Sequence, residues 1–337
     1  MTTRIAVLGA GSWGTALADV LSRNGHDVVL WAWEPDVARE IAEKHRNDRY
    51  LPGVELSAGL VASADMAEAL KEADVLLSVS PSHVVREVAE QARTFLGERR
   101  PVLVSASKGL EISSGLRMSE VLAIVLGEPT RDTCVVLSGP SFAAELARRL
   151  PTAVTLASRN PDNAVQVQGL FQNEHFRLYT QSDVIGTELG GSLKNVIALA
   201  AGISDGLGLG TNARAALMTR GLAEIGRLTE RLGGDPATLA GLAGMGDLVL
   251  TCTGELSRNR RVGLAIGKGQ RLSDVLDGMQ SVAEGVRTTR ATCELAHAEG
   301  VEMPIAEAVY SVLYEGVDPR RALALLMSRE PKPERWS

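Results

Sequence analysis

IAVLGAGSWG, residues 5–14, opens the chain with a short apolar run that ends in glycines at 9, 11 and 14. A continuous apolar run marks a strand buried on both faces, and WGTALADVLSRNG at 13–25 follows with a helical period and Gly25 as its stop. In a strand, glycine turn and helix taken in that order, Gly9 permits the tight turn and Gly11 lets the backbone approach a pyrophosphate. Gly14 lets the helix pack on the strand, and the helix N-terminus offers its N–H groups to the anion. A glycine-rich turn alone is weak evidence, but its place directly after an N-terminal strand favours a dinucleotide site.

Similar runs recur at 28–31 (VVLW), 75–80 (VLLSVS), 102–107 (VLVSAS), 135–139 (VVLSG) and 153–158 (AVTLAS), with helix-period stretches between the early ones. Strands alternating with helices mean a mostly parallel, doubly wound sheet. After Ser182 the runs stop and long Ala/Leu/Gly/Arg stretches take over. The expected architecture is an α/β Rossmann-like dinucleotide-binding domain over 1–181, then an all-α substrate and catalytic domain over 182–337 with a short C-terminal tail. A length of 337 residues suits two domains.

Composition excludes several classes. Thirty-five basic against 41 acidic residues give a net charge of −6, which argues against a nucleic-acid surface and requires any anionic ligand to meet a local cluster of cations. The three cysteines form no CxxC pair and the five histidines no ligand spacing, so neither a disulfide framework nor a metal site is expected. No apolar run approaches the roughly 18 residues that span a bilayer, and no signal-peptide pattern precedes the first strand, so a cytoplasmic protein is expected.

Outside the glycine turn, several residues are placed for chemistry. The second strand ends in WAWEPD, where Glu34 is a candidate ribose ligand and Trp33 a wall for adenine. No Lys or Arg lies between 26 and 38, which leans toward NAD over NADP. Lys108 in SASKGLE stands at the carboxyl end of a buried strand, as substrate cation or as solvated loop residue. In SGPSFAAE, Gly139 makes a turn and Ser141 either donates a hydrogen bond or caps the next helix. Lys194 lies off the apolar stripe of a helix over 184–203, among Gly190, Gly191, Ala198 and Ala201, small residues that either leave room for a ligand or form a helix-packing face beside a surface lysine. Asp247 either caps a helix or pairs with a lysine, and Cys252 behind it reads as buried and inert. ELSRNRRVG groups Ser257, Arg258 and Asn259 at a helix start, as a phosphate site or as a charged, solvated helix start.

Taken together, GAGSWGTALA, SKGLE, SGPSFAAELA, GGSLKNVIALAAGI, GMGDLVLTCT, SRNRR and VAEGVRTT resemble, in order, the bacterial NAD(P)-dependent glycerol-3-phosphate dehydrogenases. The resemblance implies reduction of dihydroxyacetone phosphate to sn-glycerol 3-phosphate for glycerophospholipid synthesis. It implies that Lys194 is the proton donor and acceptor, with Asp247 its partner and Lys108 beside them. It further implies substrate contacts at Lys108, Gly139, Ser141, Lys194, Asp247, Ser257, Arg258 and Asn259. Cofactor contacts are implied at Gly9, Gly11, Ser12, Trp13, Gly14, Trp33, Lys108, Ala143, Arg258, Val282 and Glu284. Many members carry a basic residue or His where this chain has Trp33. A homodimer is expected from the same resemblance. The rival readings are a β-hydroxyacid or ketopantoate-type dehydrogenase, disfavoured by SRNRR, and a nucleotide sensor without turnover, disfavoured by the lysine and aspartate.

Overall fold

A computed structural model describes residues 2–278, 283–331 and 333–334. Its strands are β1 (Arg4–Leu8), β2 (Asp27–Trp31), β3 (Val61–Ser63), β4 (Val75–Ser78), β5 (Val102–Ser105), β6 (Val135–Ser138), β7 (Thr152–Ala157) and β8 (Phe176–Gln181). They form one sheet in the order β3-β2-β1-β4-β5-β6-β7-β8. Every pairing is parallel except β6 with β7. The six expected strands are all present. β3 and β8 were not among them: β3 is three residues long, and β8, FRLYTQ, alternates buried and exposed positions as a sheet edge does.

Period-two alternation divides the core between the sheet's faces. Ile5 and Val7 pack on one side with Leu17, Leu21 and Phe171, while Ala6 and Leu8 pack on the other with Leu76, Val88 and Leu122. Covering both faces explains why these strands read as unbroken apolar runs. Strand order reverses between β1 and β4, so a crevice opens outside their carboxyl ends, where open α/β sheets bind ligands.

All described elements after Gln181 are helical. Val184–Gly206 begins at Asp183, whose carboxylate accepts from Gly186 N at 3.0 Å, and runs through the centre of the helical core. It is buried nearly all round because other helices and β6 surround it. Two buried links fasten it to the sheet's helices and loops. The Glu188 carboxylate accepts from Arg117 Nη1 at 2.7 Å, Ser119 N at 2.8 Å and Ser119 Oγ at 2.6 Å. One turn on, Ser192 Oγ accepts from Gly109 N at 2.9 Å. That second bond brings the helix against the SKGLE loop.

Candidate active site

The glycine turn has the form that an anion site requires. Gly9 sits at φ +124°, in the region that favours glycine, and its N–H donates to Trp31 O at 3.1 Å across to β2. A side chain at Gly14 would collide with the Gly9 carbonyl, so the helix Ser12–Arg23 lies directly on the turn. Its N-cap, Gly11, supplies no side-chain cap, and no acidic residue occupies the first turn. The Ser12–Gly14 end therefore keeps donors and a positive dipole end for an anionic ligand. Trp13 adds a buried indole N–H with no partner among the described residues. These features suit the pyrophosphate of a dinucleotide.

At the end of β2, Trp33 is 67% exposed and stands edge-on to Trp31, with ring centroids 6.2 Å apart. Glu34 occupies the N-cap position of the helix Pro35–Lys44, and its carboxylate accepts from the Tyr50 hydroxyl at 2.6 Å.

Further along the carboxyl edge, the loops after β5 and β6 present Lys108 and Gly139. Gly139 takes φ +143°, and a Cβ there would lie 2.9 Å from Val154 Cα, so the turn demands glycine. Its carbonyl accepts from Lys108 Nζ at 3.1 Å and from Ser141 Oγ at 2.9 Å. Ser141 is thus a donor within the turn, and Phe142 occupies the N-cap of Ala143–Ala147.

From the helical half comes Asp247, first residue of the helix Asp247–Thr253 and 1% exposed. A π-helical turn, Leu242–Gly246, precedes it, so Gly246 holds the cap position and the Asp247 side chain is released from capping. Lys194 Nζ donates to Asp247 Oδ1 at 2.5 Å and to Thr251 Oγ1 at 2.7 Å, while Lys108 Nζ donates to Asp247 Oδ2 at 2.6 Å. Asp247 and Thr251 meet Lys194 together because positions four apart share a helix face. The lysine reading of Asp247 therefore prevails over the capping one.

The surroundings of Lys194 bring its amine toward the range in which proton exchange is possible. Burial, aided by the Lys108 charge, lowers its amine to about 8 against the opposing pull of Asp247. An ammonium touching a carboxylate is ordinarily held above its free value, so here desolvation wins. Cys252 lies behind the pair, its thiol pushed up to about 12 by burial, as expected of an inert thiol.

The small residues beside Lys194 do a different job from the one expected. A Cβ at Gly190 would lie 2.6 Å from Ala243 O, and one at Gly191 would collide with Ser138 Oγ. They admit neighbouring backbone and side chains, so the long helix packs tightly rather than leaving ligand space.

Ser257 is the N-cap of Arg258–Gly267 and accepts from Arg260 N at 3.3 Å. Asn259 is buried. Its Nδ2 donates to Asn195 Oδ1 at 2.9 Å and its Oδ1 accepts from Gly285 N at 2.9 Å, which knits three helices together. Arg258 is the group left over. It is exposed yet ringed by protein, as a residue lining a cleft is, and forms no hydrogen bond or ion pair among the described residues. That crowding lowers its guanidinium from the usual value, with Glu284 opposing. Glu284 starts the helix Glu284–Glu299 and accepts from Ser82 Oγ at 2.6 Å, across from the loop after β4. Val282 lies outside the described residues.

Comparison with known proteins gives a consistent picture. Residues 4–164 match the N-terminal region, and residues 183–324 the C-terminal region, of the NAD-dependent glycerol-3-phosphate dehydrogenases. A protein of Geobacter metallireducens named glycerol-3-phosphate dehydrogenase [NAD(P)+] is 54% identical, covering 99% of this chain and all of its own length. Its Geobacter sulfurreducens counterpart is 53% identical over the whole of both chains. The crystal structure of glycerol-3-phosphate dehydrogenase from Coxiella burnetii superimposes with a TM-score of 0.92 at 42% identity, covering 97% of this chain and 99% of that one.

Proposed function

Because the chain belongs to the NAD-dependent glycerol-3-phosphate dehydrogenase family, we infer that the carboxyl-edge crevice is where dihydroxyacetone phosphate and sn-glycerol 3-phosphate are interconverted. The observation that carries this reading is the buried Lys194 amine, set on Asp247 and Thr251 beside Lys108. When bound, NAD(P)H would supply the hydride that reduces the substrate's carbonyl carbon.

The chain's own residues do the rest. Gly9, Gly11, Ser12, Trp13 and Gly14 would hold the pyrophosphate, with Trp33, Lys108, Ala143, Arg258, Val282 and Glu284 as further cofactor contacts. In the reductive direction the Lys194 ammonium donates its proton to the substrate oxygen as negative charge develops there; in the oxidative direction the neutral amine takes it back. Asp247 aims Lys194, and Lys108 adds positive potential. Arg258, without a hydrogen bond or ion pair among the described residues, takes the substrate phosphate beside Ser257 and Asn259, and that remote contact orients the carbonyl near Gly139 and Ser141.

We assign residues 1–181 to cofactor binding and residues 182–337 to substrate and catalysis. Among the described residues no helix is long and apolar enough to cross a membrane, and we place the enzyme in the cytoplasm, supplying the glycerophospholipid backbone. A homodimer built on the helical half is proposed as well. Sedimentation should give twice the 35.7 kDa chain mass, and a monomer would refute it.

The test of the activity follows NADH and NADPH absorbance with dihydroxyacetone phosphate, and in parallel with small keto acids. Turnover of the phosphorylated ketone alone supports the reading. Turnover of a keto acid instead, or of neither, would overturn it.

A further inference from the structure

The cation missing from the end of β2 arrives from a later loop. Asn47, fully buried, anchors that loop on the glycine turn: its Nδ2 donates to Ala10 O at 2.9 Å and to Thr15 Oγ1 at 2.8 Å, while its Oδ1 accepts from Tyr50 N at 3.2 Å. Tyr50 then ties the loop to the strand end through its bond to Glu34. Between these anchors stands Arg49, half exposed, with its guanidinium 3.8 Å from Glu34 Oε1, 3.8 Å from Asp36 Oδ2 and 5.3 Å from the Tyr50 ring centroid. Neither carboxylate contact is short enough for a hydrogen bond, so Arg49 exchanges partners at little cost.

A ribose 2′-hydroxyl and a 2′-phosphate would meet this cluster differently. The hydroxyl can donate to Glu34. A phosphate placed there would face Glu34 and Asp36, and it needs a cation to offset that repulsion. Arg49 is already beside both carboxylates on an anchored loop, and a guanidinium binds phosphate more strongly than a loosely held exposed carboxylate. We propose that Arg49 is the cofactor-selecting residue of this chain, resting on Glu34 and Asp36 when the ribose carries a hydroxyl and turning to the 2′-phosphate when it carries one. The strand end then accepts both NAD and NADP, with the second depending on Arg49. This assignment rests on the reading of the sheet edge as a nucleotide site.

Calorimetric titration of the full chain with 5′-AMP and with adenosine 2′,5′-bisphosphate tests it without turnover. Arg49→Gln should weaken the bisphosphate about tenfold, the size of one charge-assisted contact, and leave 5′-AMP within about twofold. Glu34→Gln should strengthen the bisphosphate. Equal losses for both nucleotides in Arg49→Gln, or an unchanged bisphosphate affinity, would overturn the proposal. If the unaltered chain binds neither nucleotide, the nucleotide-site reading fails, and the proposal fails with it.

Discussion

Asp247 accepts a 2.5 Å hydrogen bond from Lys194 while its other carboxylate oxygen is taken by Lys108, so a single buried anion holds two ammonium groups from opposite halves of the molecule. Burial, aided by the Lys108 charge, still lowers the Lys194 amine to about 8. That value decides how the reaction responds to pH.

Reduction needs Lys194 protonated, so kcat/KM for dihydroxyacetone phosphate should decline as pH rises through about 8, and kcat/KM for glycerol 3-phosphate oxidation should rise through the same region. Profiles in the two directions, taken between pH 6 and 10, about two units either side of that value, check this. Parallel profiles would remove Lys194 from proton transfer.

Replacing Asp247 with Asn removes the only carboxylate that touches the lysine pair among the described residues. Two ammonium groups then face each other without compensation, and Lys194 should lose its proton more readily. The reductive profile is expected to move to lower pH, with kcat reduced at neutral pH. An unshifted profile in a folded variant would show that Asp247 does not set the lysine's charge.

Arg258→Ala should raise KM for the phosphorylated ketone about ten- to hundredfold, the range for deleting a hydrogen bond to a charged group. Because Arg258 forms no hydrogen bond or ion pair among the described residues, stability should hardly change. Steady-state kinetics with a thermal melt separate the two effects, and an unaltered KM would move the phosphate elsewhere.

Glu224 offers a test of stability away from the site. It is buried and accepts from Ile305 N at 2.8 Å, yet burial outweighs the backbone donors and raises its carboxyl from 4.5 to about 7. Between those values the folded chain holds a proton that the unfolded chain has released, so this group's contribution falls as pH rises from about 4.5 to about 7 and stays reduced above. Glu224→Gln keeps an acceptor for Ile305 and abolishes the titration. Its Tm relative to the unaltered chain should therefore increase from pH 5 to pH 8, across the stated window. Parallel Tm curves would contradict this.

Sequence reading reached the residues of the proposed site because its pieces sit in local patterns: the glycine turn after β1, and Lys108 and Gly139 directly after buried strands. What escaped it was set by distant packing. Asp247 stays open between helix cap and lysine partner on its local pattern, and only the π-helical turn before it, with Gly246 in the cap position, decides between them. Gly190 and Gly191 read as ligand space, because nothing in their neighbourhood reveals that Ala243 and Ser138 press against them. Arg49 was invisible as a cofactor residue because it follows the strand end by a whole helix and returns only through the buried Asn47 anchor. Short or half-exposed edge strands such as β3 and β8 lack the apolar run that identified the others.

The central claim, that the Lys194 amine moves the proton, is tested most directly by Lys194→Ala. Turnover of dihydroxyacetone phosphate with NADH or NADPH should fall by about two to four orders of magnitude, the usual range for general acid catalysis, while cofactor binding followed by nucleotide fluorescence stays within about twofold. Turnover within about threefold of the unaltered chain, with cofactor binding intact, would contradict it.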